Sequence, residues 1–243
     1  MIRLHQFEIS PFCDKVRRIL HVKGRPYQVV EVPVTRTFQH MRRLSRIGKL
    51  PCLEMDGTVV PDSTDIARVL EERFPDPPLL PADPRERALC HVLEDWADES
   101  LYFYEMALRF TIPENARRFA PELLKHDPAW ARTVLAPLVP RLMRRVTRAQ
   151  GVGRKPRGML LRDVERHVDA VGGLLARPPA GAAGHEDGRD WLVGDALSLA
   201  DLSVFAQLTC IRATDQGAKI VEGRPSVAAW MERVDRASRA PRA

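Results

Sequence analysis

Ile2-Arg-Leu-His-Gln-Phe7, followed after two residues by Ser10-Pro-Phe-Cys-Asp-Lys-Val-Arg17, decides how this chain begins to fold. The first run has the two-residue alternation of a strand. In the second, Ser10 is placed to cap a helix, and Pro11 stands at the first helical position, where a missing amide costs no intrahelical bond. That helix is expected to reach about residue 21 and to end at Gly24. Outward from it, 27–31 reads as a second strand and 37–44 as a short helix. Residues 51–55 form a strand that turns at Asp56-Gly57 into 58–60, because Asp-Gly suits the positive dihedral angles of a tight hairpin. A helix over 63–74 completes a strand-helix-strand-helix-strand-strand-helix order.

Pro75-Asp-Pro-Pro-Leu-Leu-Pro-Ala-Asp-Pro84 then interrupts everything periodic. The expected division is an α/β domain over 1–78, a linker over 79–85 and an all-helical domain over 86–243. Helical periodicity is read over about 86–109, 115–125, 129–149, 157–177, 199–213 and 225–237, and a loop over 178–190 from its Pro, Gly and Ala content. Ser198-Leu-Ala-Asp201 has the spacing of a capping box. Pro225 opens a last helix ahead of Val227, Trp230 and Val234.

The 243 residues are 44% hydrophobic and 29% charged, a globular composition. No apolar run is long enough to span a membrane, and the chain starts in a strand pattern without an apolar secretory segment, so a cytoplasmic location without a membrane partner is expected. Cys13, Cys52, Cys90 and Cys210 lack zinc-ligand spacing and fit a reducing compartment, so no metal is expected. The net charge of +6 is carried mainly by arginine, with no nucleic-acid reading module, and no nucleic-acid partner is expected. The basic 131–148 helix, with Arg132, Arg141, Arg144, Arg145 and Arg148, reads as a solvated face able to attract anions.

Three points can meet at one edge of such a sheet: Ser10-Pro-Phe-Cys13, Leu50-Pro51 and Asp62-Ser63. Two of them are helix starts, whose unpaired amides and dipole suit a ligand with carboxylates. These residues, together with Gly48-Lys-Leu-Pro-Cys-Leu53, Asp62-Ser-Thr-Asp-Ile66, Pro78-Leu-Leu-Pro81 and Gly194-Asp-Ala-Leu-Ser-Leu-Ala-Asp201, resemble the glutathione transferase superfamily in its serine-type form. The resemblance spans both regions and fades over about 110–190. It implies a thioredoxin-like first domain, a helical second domain, glutathione as co-substrate and a homodimer.

Residue by residue, the resemblance implies Ser10 as the hydroxyl set against the glutathione sulfur. Lowering a thiol pKa by one unit is worth about 1.4 kcal/mol of preferential thiolate stabilisation. It implies Pro51 as a cis-proline exposing the Leu50 backbone to the cysteinyl unit. Asp62 would meet the ammonium group and Ser63 the α-carboxylate of the γ-glutamyl end. Asp62 stands where many members carry glutamate, which alters reach. Lys49 is the cationic contact for the glycyl carboxylate, with His40, Arg43 and Arg46 as alternatives. A small, hydrophobic electrophile would sit between the domains against Phe12, Tyr104 and Arg109, chosen over Trp96, Tyr102 and Met106. Asp201 is assigned to folding. Two alternatives stay open: a glutathione-dependent reductase or lyase using Cys13, although Ser10 replaces the first cysteine of a C-x-x-C pair, and a non-catalytic binding or regulatory protein.

Overall fold

The computed structural model describes residues 1–45, 47–176 and 189–240, without the Phe38 side chain. Arg46 and the greater part of the expected 178–190 loop lie outside the described residues. Strands β1 (Ile2–Gln6), β2 (Gln28–Glu31), β3 (Cys52–Met55) and β4 (Thr58–Pro61) form one mixed sheet in the order β2-β1-β3-β4. β1 is parallel to β2 and antiparallel to β3, and β3 pairs antiparallel with β4. The hairpin turn takes the positive φ expected of it, 52° at Asp56 and 78° at Gly57. Helices α1 (Pro11–Val22) and α3 (Ser63–Arg73) pack on the face that presents Ile2 and Leu4. Helix α2 (Thr37–Leu44) follows a short 3-10 turn, and its His40 meets His5 at 3.0 Å from the other side of β1.

The regular structure of the second region, among the described residues, is helical: α4 (Pro84–Trp96), α5 (Tyr102–Thr111), α6 (Pro113–Leu123), α7 (Ala129–Leu135), α8 (Val139–Ala149), α9 (Arg157–Leu175), α10 (Leu199–Arg212), α11 (Asp215–Glu222) and α12 (Pro225–Ser238). Three differences from the sequence expectation have physical causes. The 86–109 helix is interrupted by a π-helical turn at Ala97–Leu101, where the Tyr102 amide reaches back to the Ala97 carbonyl. The 129–149 helix is divided near Pro137, since proline has no amide to donate. Helix α11 was not anticipated. Its signal is Thr214, whose side chain accepts from the Gly217 amide, while a Cβ on Gly217 would lie 2.0 Å from the Ile211 carbonyl oxygen.

The proline-rich stretch separates the regions in sequence but not in packing. One apolar core holds Leu20, Leu53 and Leu70 together with Leu101, Leu202 and Trp230. The stretch is pinned by Glu71, which takes the Leu79 amide at 2.9 Å on one oxygen and Lys23 Nζ at 2.6 Å on the other. Asp201 stands as the capping box requires. Its buried carboxylate accepts from the Ser198 amide and hydroxyl, the Leu192 amide and Trp230 Nε1, at 2.6 to 2.9 Å.

Candidate functional site

Strand register builds the site. His5 of β1 pairs with Cys52 of β3, which pairs with Pro61 of β4. The chain leaving β1 (Phe7–Ser10), the chain entering β3 (Leu50-Pro51) and the chain leaving β4 (Asp62-Ser63) therefore emerge at one end of the sheet. The amide-rich starts of α1 and α3 open there as well. The Leu50-Pro51 peptide is cis, as expected, and so is Asp76-Pro77 in the proline-rich stretch.

Ser10 caps α1, its oxygen 3.5 Å from the Cys13 amide, which donates to it. This long bond uses an acceptor lone pair and leaves the Ser10 O–H as a donor. The preceding loop is fixed by the Glu8 amide donating to Glu31 at 2.6 Å, and Glu8 in turn meets Lys125 and His126 of the second region at 2.9 and 2.8 Å. Asp62 caps α3 through the Thr64 amide at 2.9 Å and leaves its second oxygen uncommitted among the described residues. It does so at φ 73°, ψ 134°, a conformation that L residues rarely adopt. Ser63 is buried, yet its hydroxyl makes no hydrogen bond to a described residue. Lys49 is exposed, Arg43 is exposed, and His40 is taken by His5.

Behind both helix starts lies a buried charge cluster that sequence reading missed. Lys15 of α1 places Nζ 2.6 Å from Glu94 of α4 and 2.6 Å from Asp98 of the π turn, and the Thr64 hydroxyl of α3 donates to Glu94 at 2.5 Å. Burial opposes charge on Lys15, but the two carboxylates outweigh it and raise its pKa, while burial pushes Asp98 up to about 6. The cluster thus ties α1 and α3 to one another through the second region. The only sequence hint was a lysine on the inner face of an amphipathic helix.

The electrophile-side residues fall differently from expectation. Phe12 faces Tyr102, ring centroids 4.8 Å apart, at the seam between the regions. Tyr104 is instead turned into a buried network with Asp163 and Lys155, its ring edge on His167. Arg109 is 4% exposed and bound to Glu105 at 2.7 Å, with a further contact to the Ile9 carbonyl at 3.4 Å. Both side chains are committed internally: Tyr104 lies two residues, about 200° of helix, from the seam-facing Tyr102, and Arg109, on the same side of the helix as Tyr102, is taken up by Glu105. All four thiols are disfavoured as thiolates by burial, Cys13, Cys52 and Cys90 with pKa about 11 and Cys210 about 12. Among the described residues no group of His, Cys, Asp and Glu could hold a metal ion. No helix described is long and apolar enough to cross a membrane.

Two family models match this architecture in order, the glutathione S-transferase N-terminal domain over residues 4–78 and the glutathione S-transferase C-terminal domain over 127–233. The chain belongs to the glutathione S-transferase superfamily. Within that superfamily it is 38% identical over 78 residues to the chloroplastic glutathione S-transferase DHAR3 of Arabidopsis thaliana, a match covering 32% of this chain and 30% of the relative. It is 34% identical over 103 residues to LigF of Sphingobium sp. (strain NBRC 103272 / SYK-6), covering 40% of each chain. These curated relatives are thus matched over less than half their length. Solved transferase-superfamily structures match more fully. The beta-etherase LigF from Sphingobium sp. strain SYK-6 has a TM-score of 0.67 at 26% identity, covering 96% of this chain and 94% of that one. A glutathione S-transferase from Methylobacterium radiotolerans in complex with glutathione sulfonate has a TM-score of 0.59 at 21% identity, covering 100% and 96%.

Proposed function

We propose that this superfamily member is a glutathione transferase that joins the glutathione sulfur to a small, hydrophobic electrophile. The observation that carries this reading is the Ser10 hydroxyl. It caps α1 as an acceptor and keeps its proton to donate toward a sulfur at the helix start. The residues present suit the tripeptide. The free oxygen of Asp62 matches an ammonium group, and the uncommitted Ser63 hydroxyl with the first amides of α3 matches an α-carboxylate. The Leu50 backbone beside Pro51 supplies the peptide pairing edge, and Lys49 the cation for the far carboxylate. Phe12 remains the electrophile-side residue, with Tyr102 beside it. Tyr104 and Arg109 act through the framework, Arg109 by holding the Ile9 carbonyl next to Ser10.

In the reaction so drawn, the glutathione thiol releases its proton to solvent, the Ser10 O–H stabilises the thiolate left behind, the thiolate attacks the electrophilic carbon, and a new sulfur–carbon bond forms as the bond to the leaving group breaks and that group departs with its electron pair. The protein's share is positioning and charge stabilisation, and no covalent enzyme intermediate is required. The buried, high-pKa Cys13 disfavours the thiol-exchange reductase or lyase.

The test is calorimetric titration with glutathione alongside the ultraviolet absorbance of its thiolate, on the native protein, Asp62→Ala and Ser10→Ala. The expected result is binding weakened at least tenfold in Asp62→Ala, and near-normal binding with the thiolate band lost in Ser10→Ala. Absence of binding at several millimolar would leave a non-catalytic protein that retains the fold. The same reading includes a homodimer, checked by sedimentation.

A further inference from the structure

The segment formed by α7 and α8 carries two features that the glutathione site does not use. Trp130, Val134, Leu138, Leu142 and Val146 recur every fourth residue and are 65, 57, 51, 58 and 38% exposed. The turn between the helices stays helical, with the Leu138 amide bonded to Leu135 and the Leu142 amide to Leu138. Trp130 and Val134 on α7 and Leu142 and Val146 on α8 thus follow the four-residue ridge of their helices, with Leu138 exposed in the turn that joins them. The adjacent row of Ala131, Leu135, Val139, Met143 and Thr147 faces inward, so the exposed row is additional to the core-facing one.

The second feature is charge. From Pro128 to Arg162 the sequence has nine Lys and Arg and no Asp or Glu, more positive charge than the +6 of the whole chain. Arg132, Arg141, Arg144, Arg145 and Arg148 have no carboxylate partner among the described residues, although two nearby cations do, Lys155 with Asp163 and Arg157 with Glu114. On the helix, Arg141 and Arg145 border the apolar row on its solvent side.

We infer that this face is a peripheral docking surface for an anionic lipid bilayer. An apolar row flanked by unpaired arginines along two consecutive helices, with an indole within the row, is the composition of amphipathic helices that lie in the plane of a membrane interface. The row enters the acyl boundary and the guanidinium groups meet phosphates. The other occupants fit less well. A second copy on a twofold axis would set these arginines against one another with no carboxylate to relieve them. A nucleic acid would leave the aliphatic row in water. The sequence expectation of no membrane partner rested on the absence of a long apolar run, and surface docking needs a row instead.

The experiment is flotation of the purified chain with vesicles of phosphatidylcholine alone or mixed with phosphatidylglycerol, together with tryptophan emission. The native chain is expected to float only with the anionic vesicles and to shift its emission to the blue, and the shift is expected to disappear in Trp130→Phe. Leu138→Ser with Leu142→Ser should weaken binding at least tenfold, as should Arg141→Ala with Arg145→Ala. All four positions are exposed, and circular dichroism checks that the variants fold. No flotation, or flotation unchanged by the leucine substitutions, overturns the inference. It is also overturned if the chain self-associates without vesicles and the leucine variant abolishes that association. Duplex DNA binding that depends on the arginines but not the leucines assigns the face to a polyanion instead. None of these readouts depends on glutathione.

Discussion

At the scale of single residues, the site divides into groups that hold the backbone and groups left over to act. Ser10 and Asp62 each give one lone pair to a helix cap and keep further hydrogen-bonding capacity, which the proposed reading puts to use. The capping was legible in the sequence, since a serine or aspartate before a helix run is a cap whatever else it does. The tyrosines were not. Tyr102 and Tyr104 are nearly adjacent, and only packing shows that the first meets Phe12 while the second meets Asp163. Cys13 gives a prediction at this scale. A shift from 9.0 to about 11 lowers its thiolate fraction near neutrality about a hundredfold. Native protein treated with iodoacetamide and followed by mass spectrometry should label Cys13 only on unfolding. Rapid native labelling would restore the reductase reading.

At the scale of elements, the Lys15 cluster governs how α1, α3, α4 and the π turn stay in register. Lys15→Met should destabilise the chain by about 3–5 kcal/mol in urea unfolding, because two buried carboxylates lose their counter-ion. The cluster also carries a pH signature. Burial first of all lifts Asp98 from 3.8 to about 6, so between those values the folded chain holds a proton that the unfolded chain has released. The stability contributed by this group therefore falls as pH rises through that window, and Asp98→Asn should flatten the change in Tm across it. A slope that survives the substitution would place the titration elsewhere. The helices themselves were mostly readable, but α11 was not: a short segment with an interior glycine looks like a loop until Thr214 is seen to cap it.

At the scale of the whole molecule, the proline-rich interruption between α3 and α4 was plain in the sequence, whereas the continuous core across it was not. Patterns of 3.6 and 2 residues mark faces without saying which faces meet. The same holds for Asp127, whose carboxylate accepts from the Val34 amide, the Thr35 amide and the Thr35 hydroxyl at 2.9, 2.8 and 2.6 Å. With the Glu8 contacts to Lys125 and His126, it clasps the second region onto the first beside the site. Asp127→Ala should speed hydrogen exchange at Val34 and Thr35 about tenfold while leaving Leu202–Leu208 protected. Uniform loss of protection would mean that the regions unfold as one body. The π turn at Ala97–Leu101 bears on the chain's tolerance of length change. A wide turn accommodates one residue more than an α turn while the helix on either side keeps its bearing. Shortening the chain by Glu99, which is exposed, should close the turn to an ordinary one and leave Tyr102 and Glu105 facing as they do. The same deletion elsewhere in the 84–111 stretch would swing everything after it by about 100°. The long helix therefore has one place where it can lose a residue without losing its aim.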